Sequence, residues 1–132
     1  MIYPITPVPK PRMTQRDKWA KRPAALKYWA FCDKVRLNDL LLPDCGADIV
    51  FGIPMPKSWS AKKKQAMNRS PHQQTPDLDN LLKALCDAVH KEDKHIWQYS
   101  AGKVWAETGY IEISIDKLQE TIWHHCVTNH PK

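Results

Sequence analysis

The strongest periodic signal in the chain lies between residues 75 and 93. Leu78, Leu81, Leu82, Leu85 and Val89 recur at i, i+3, i+4, i+7 spacing, the pattern of a helix with one face turned toward a core. At about 100° per residue the same helix places Asp79, Lys83 and Asp87 on a polar flank. Asp77 sits at its entry, behind Pro76, and proline suits a helix start because it has no amide hydrogen to leave unsatisfied. Asp77 or Asp79 would cap that start. Asp79 with Lys83 and Lys83 with Asp87 would form i,i+4 ion pairs of a few tenths of a kcal/mol each. Periodicity alone asks nothing more of these charges.

Elsewhere the pattern predicts a helix from Ala24 to Leu42, carried by Leu26, Trp29, Ala30, Val35, Leu37, Leu40 and Leu41, with Pro23 in its first turn and Pro43 as its stop. From Ala47 to Met55, Ile49, Phe51 and Ile53 alternate with Val50 and Gly52, which predicts a central strand ended by Pro54 and Pro56. A short helix follows, capped by Ser58 or Ser60 and running through Lys62, Lys63 and Lys64 to Met67. Residues 68 to 75 then form a polar loop. Ile96 to Glu107 and Tyr110 to Ile115 read as two strands joined as a hairpin around Thr108 and Gly109. In the second strand Ile111, Ile113 and Ile115 form a buried face against Tyr110, Glu112, Ser114 and Asp116 on a wet one. Pro4, Pro7, Pro9 and Pro11 confine any first strand, Ile2 to Thr6, to a short edge. The expected fold is α/β, two-layer, a mixed β-sheet with helices packed on one face in the order β-α-β-α-β-β.

A length of 132 residues suits one domain, with 117–132 as a tail that forms a helical turn or two around Leu118, Ile122 and Trp123 and then frays. No apolar run approaches the ~20 residues of a membrane span, and MIYPITPVPKPR lacks a signal-peptide core. These features predict a cytoplasmic protein with no membrane partner. Cys32, Cys45, Cys86 and Cys126 show no CxxC pairing, which argues against a zinc ribbon and predicts free thiols. His124, His125 and Cys126 make a poor metal site, since adjacent residues do not easily converge on one ion.

Charge changes the picture. The net charge of +6 is uneven: residues 1 to 27 carry seven Lys or Arg against Asp17, and residues 57 to 76 carry Lys57, Lys62, Lys63, Lys64 and Arg69 with no acid. From residue 77 onward the balance reverses, with six Lys against nine Asp or Glu. A basic approach followed by an acidic cluster suits an enzyme that draws in a polyanion and works on one phosphate with a carboxylate-bound metal. A basic surface serving only solubility gives the same composition.

The order of parts, a strand ending in MPKSWS, a basic segment, then PHQQTPDLDNLLKALCDAV and an acid at the next turn, resembles the RusA family of Holliday junction resolvases, small endonucleases common in phages and prophages. The resemblance is clear over residues 45 to 116 and rests on Asp77-Leu78-Asp79-Asn80-Leu81 with Lys83 and Asp87. It implies that Asp77, Asp79 and Asp93 bind Mg2+, with Glu92 beside Asp93 where the family often has another Asp, and that Lys83 is the helix lysine of the site. It also implies a homodimer that nicks two strands of four-way junction DNA symmetrically, in recombination and repair. The chemistry of the residues agrees: magnesium takes oxygen ligands and needs only a few carboxylates beside water and phosphate. Lys83 would neutralise charge on the phosphate or help activate water, or serve only as an ion-pair partner. Lys57, Lys62, Lys63, Lys64, Arg69 and His72 are the expected DNA contacts, Asp87 is structural, and Trp19, Trp29 and the terminal strands are candidates for the dimer interface.

Two other classes compete. A glycosyl or phosphoryl transferase using a DxD metal site is disfavoured by the absence of a glycine-rich βαβ loop. A non-catalytic, basic junction-binding protein would use the same acids only as caps and salt bridges.

Overall fold

The computed structural model describes residues 1–12, 22–90 and 94–115. Its strands are β1 (Ile2–Tyr3), β2 (Cys45–Pro54), β3 (Gln98–Ala106) and β4 (Tyr110–Ser114), and its helices are α1 (Pro23–Leu37), α2 (Ala61–Met67) and α3 (Leu78–Val89). The fold is mixed α/β. One four-stranded sheet runs in the order β1-β4-β2-β3, with β2 parallel to β3 and antiparallel to β4.

The alternation in β2 works as its sequence suggests. Ala47, Ile49, Phe51 and Ile53 share one core with Ile111 and Ile113 of β4, with Tyr28, Phe31 and Val35 of α1, and with Leu81, Ala84, Leu85 and Cys86 of α3. Two strands and two helices therefore bury a common face, which places α1 and α3 on the same side of the sheet. Burying apolar area of this kind is the main favourable term in folding.

β3 and β4 do not form the expected hairpin: β2 lies between them. Pro54 ends β2, and the chain from β3 passes over that end through residues 107–109 and descends on its far side. The amide of Met55 donates to the carbonyl of Ala106 at 2.9 Å, closing the arch. Gly109 is needed for close approach, because a Cβ there would lie 2.7 Å from the Cα of Thr6.

Helix α1 ends at Leu37, five residues before the predicted Leu42. Asp39 takes a left-handed φ of 48°, the Asp39 amide donates to Arg36 at 3.1 Å and the Leu40 amide to Val35 at 3.2 Å. This is the Schellman termination, ordinarily built on glycine. Leu40 folds back beside Val35 into the core, so the apolar run outlasts the helix. Ser60 caps α2 by accepting from the Lys63 amide at 3.2 Å. The expectation of free thiols fails at Cys45, which is disulfide-bonded at the buried start of β2; Cys32 and Cys86 are not in disulfides. No helix among the described residues is long and apolar enough to cross a membrane.

Candidate active site

The connection from β2 to the parallel strand β3 runs through α2 and α3, so α3 starts near the C-terminal ends of the strands, where open α/β sheets carry their sites. A cleft of about 510 Å³ between Pro7, Pro9, Ile53, Thr75, Pro76, Asp77 and Asn80 marks that end.

Asp77 occupies the N-cap of α3 with extended backbone, φ −70° and ψ 144°, and its carbonyl accepts the first helical bond from the Leu81 amide at 3.1 Å. Its side chain accepts no capping hydrogen bond. Asp79, in the first turn, is exposed like Asp77. The helix dipole favours both negative charges there. Neither i,i+4 pair forms: Asp79 and Lys83 make no ion pair among the described residues, and Asp87 pairs instead with Lys10, Nζ to Oδ2 at 3.2 Å. Asp79 and Lys83 line a second, smaller hollow with Leu82, Cys86 and Ile96, while Asp77 lines the proline-walled cleft.

Two residues outside the expected set of site residues hold this arrangement. Lys10 donates from its backbone amide to the carbonyl of Asn80 at 3.2 Å. Its ammonium reaches the Tyr28 hydroxyl at 3.2 Å and lies 4.3 Å from the centre of that ring. It is a clamp that fastens the proline-rich segment onto α3. Lys103, opposite Phe51 in the β2–β3 register, donates from Nζ to the carbonyls of Gln74 and, at 2.7 Å, Pro76. It ties the loop before Asp77, with its cis Thr75–Pro76 peptide, to the sheet. A lysine in the middle of a strand, between Gly102 and Val104, was the available signal.

The basic segment lies along the outer edge of β3. The Arg69 amide donates to Trp105 at 2.9 Å, Trp105 returns a bond to Ser70 at 2.9 Å, and the His72 amide donates to Lys103 at 3.1 Å. Lys57, Lys62, Lys63 and Arg69 are exposed and Lys64 is half-buried. Lys63 Nζ sits 4.3 Å from the Trp59 ring centre, and Trp59 packs on Trp105 at 4.8 Å. His72 departs from the expected set of DNA contacts. It is 4 % exposed and set edge-on against Trp105 at 4.3 Å, so it supports the segment from beneath. Burial, and then the nearby Lys103 charge, lower its pKa below 6.5.

A family model described as endodeoxyribonuclease RusA matches residues 4–116. The chain belongs to the RusA family. No curated protein and no solved structure matches it significantly. The RusA match spans every element described above except β1, so the acids at the start of α3, the Lys10 clamp and the basic edge all fall inside a nuclease family. Membership makes hydrolysis of DNA the chemistry against which the site is to be judged.

Nuclease chemistry of this kind commonly uses a divalent cation. Asp77 and Asp79 are exposed carboxylates with no donor among the described residues, an oxygen-only pair of the type magnesium accepts beside water and substrate phosphate. They fit the ion. Among the described residues no group of three or more His, Cys, Asp or Glu comes together; Glu92 and Asp93 lie outside those residues, as do Trp19 and the His124, His125 and Cys126 run.

Proposed function

We propose that the chain is a magnesium-dependent endonuclease that resolves four-way DNA junctions by paired, symmetric nicks in recombination and repair. The observation that carries this reading is the state of Asp77. It stands at the cap position of α3 yet accepts no capping bond, and a carboxylate left exposed beside a lysine-fastened loop is better explained by a ligand than by helix stability.

In this reading Asp77 and Asp79 hold the metal together with Asp93, which follows α3 in the sequence. The ion would supply an activated water and draw charge from the scissile phosphate. Lys83, one turn after Asp79 and without an ion-pair partner among the described residues, neutralises charge on that phosphate. The exposed cations Lys57, Lys62, Lys63 and Arg69, with Lys64, attract the backbone and set a salt-dependent affinity. Two equal cuts in a substrate of approximate two-fold symmetry require two equal sites, which a homodimer provides. The cytoplasm is where such an enzyme meets its DNA.

The test is cleavage of a synthetic mobile four-way junction beside a linear duplex of the same sequence, with magnesium or with chelator. Paired nicks in the junction alone, dependent on the metal, support the reading; equal cutting of both substrates would reduce it to a general nuclease.

A further inference from the structure

A groove of about 700 Å³ lies at the opposite end of β2 from the Asp77 cleft. Asp44, just before the first residue of β2, and Ile115, just after the last residue of β4, both line it. Its walls are mainly apolar, from Met1, Tyr3, Leu41, Pro43 and Ile113. Met1 and Leu41 are 78 % and 77 % exposed. Apolar side chains gathered in a groove and left this open to water favour a cover that removes them from it.

The chain itself narrows what that cover is. Residue 116 follows Ile115, so the segment beyond the described residues leaves from the groove wall. A second anchor stands at the same place. Cys45 is disulfide-bonded and wholly buried, Cys32 and Cys86 are not in disulfides, and elimination leaves Cys126 as its partner. In the β2–β4 register Asp48 lies opposite Ser114, so Cys45 is set only about 10 Å further along the sheet. The segment from Ile115 to Cys126 reaches up to about 36 Å when extended, and the slack lets it pass over the groove. Its residues suit that path. Leu118, Ile122 and Cys126 recur every fourth residue, the spacing that aligns side chains on one face of a helix. One face would then turn Leu118 and Ile122 to the apolar walls and the Cys126 sulfur toward Cys45.

We propose that the groove is the seat of the segment from Asp116 to Cys126, latched over it by a Cys45–Cys126 disulfide. The inference is independent of the nuclease reading, because none of the groups that line the groove lines the Asp77 cleft. Closing the latch transfers two hydrogens. The two cysteine thiols give them up to a small disulfide such as oxidised glutathione, which leaves as two thiols, and the two cysteine sulfurs join; a small thiol reverses the exchange. Seating the segment raises the effective concentration of one thiol at the other. The groove therefore keeps the latch closed in thiol–disulfide mixtures that would open it on an unseated segment.

The experiment equilibrates the full chain in glutathione buffers of stepped oxidised-to-reduced ratio, traps free thiols by alkylation and reads the linked peptides by mass spectrometry. The expected result is a pair joined at Cys45 and Cys126 within one molecule, and the buffer ratio at half-closure gives the effective concentration. Leu41→Lys, on the exposed groove wall, is expected to lower that concentration about tenfold, and Ile122→Lys to do the same from the segment's side. Leu37→Lys, 82 % exposed and outside the groove, is the control and is expected to stay within about twofold of wild type. Pairing of Cys45 with any other cysteine, a cross-link between two molecules, or a chain that stays reduced across the series would overturn the latch. Equal effective concentrations for Leu41→Lys and Leu37→Lys would overturn the groove as its seat. Neither result bears on junction cleavage.

Discussion

Lys103 Nζ donates to the carbonyl of Pro76 at 2.7 Å, so the centre of β3 is fastened to the residue immediately before Asp77. The same ammonium also bonds the carbonyl of Gln74. Lys103→Met keeps the aliphatic stem but loses both bonds, and charged hydrogen bonds of this type contribute about 1–3 kcal/mol. The expected outcome is a lower urea midpoint together with a weaker response to magnesium in the cleavage assay. Unchanged stability and activity would mean that the loop holds itself.

Lys10 and Asp87 are predicted to be energetically coupled. Both side chains are about a quarter exposed, at 23 % and 27 %, so solvent screens the pair and the coupling should be near 0.5–1 kcal/mol. A double-mutant cycle with Lys10→Met and Asp87→Asn, read by chemical denaturation, measures it. Additive effects would contradict the clamp.

Leu85 lies wholly within the core, with no exposed surface, on the inner face of α3. Leu85→Ala is expected to destabilise the protein by about 2–5 kcal/mol through lost burial and an unfilled cavity. Thermal or urea unfolding checks the value. A cost below about 1 kcal/mol would mean that α3 is not packed as described.

His72 gives the fold a pH dependence. Burial and Lys103 lower its pKa in the folded chain, whereas an unfolded histidine titrates near 6.5. As the pH falls below about 6.5, the unfolded chain takes up a proton that the folded chain refuses, so stability is full above that value and declines toward the lower folded pKa. His72→Phe keeps an aromatic ring against Trp105 and removes the titration. Unfolding midpoints measured from about pH 7.5 to about pH 5.5 should therefore fall less in the variant than in the wild type. Parallel profiles would contradict it.

Much of this architecture is legible in the sequence because periodicity reports burial directly. The Leu78 to Val89 spacing marked α3, with Asp77 one of the two residues expected at its cap, and the Ile49, Phe51, Ile53 alternation marked a strand that lies inside the sheet. Periodicity does not report how strands are ordered, so two strands separated by a short turn read as a hairpin although β2 intervenes. It also misses a helix end formed by Asp39, because aspartate in a left-handed conformation is uncommon and Pro43 offered a more familiar stop.

The site was legible as residue types and not as roles. Asp77, Asp79 and Lys83 stand out by spacing, but whether they are spent on caps and ion pairs depends on partners elsewhere in the chain. Lys10 decides this by taking Asp87. His72 is misread for the opposite reason, since a histidine in a polar loop gives no sign that Trp105 will cover it. Lys103 is one more surface cation until its register opposite Phe51 turns it toward Pro76.

In the proposed mechanism the acids at the start of α3 work on phosphate and do not merely stabilise a helix. The direct measurement is junction binding and junction cleavage by wild type and Asp79→Asn in the same magnesium buffer. The variant is expected to bind the junction with affinity close to that of wild type and to cut it at least about a hundredfold more slowly. Cleavage that survives Asp79→Asn, or tight junction binding by wild type with no cleavage under any divalent metal, would contradict it and return these carboxylates to a structural role.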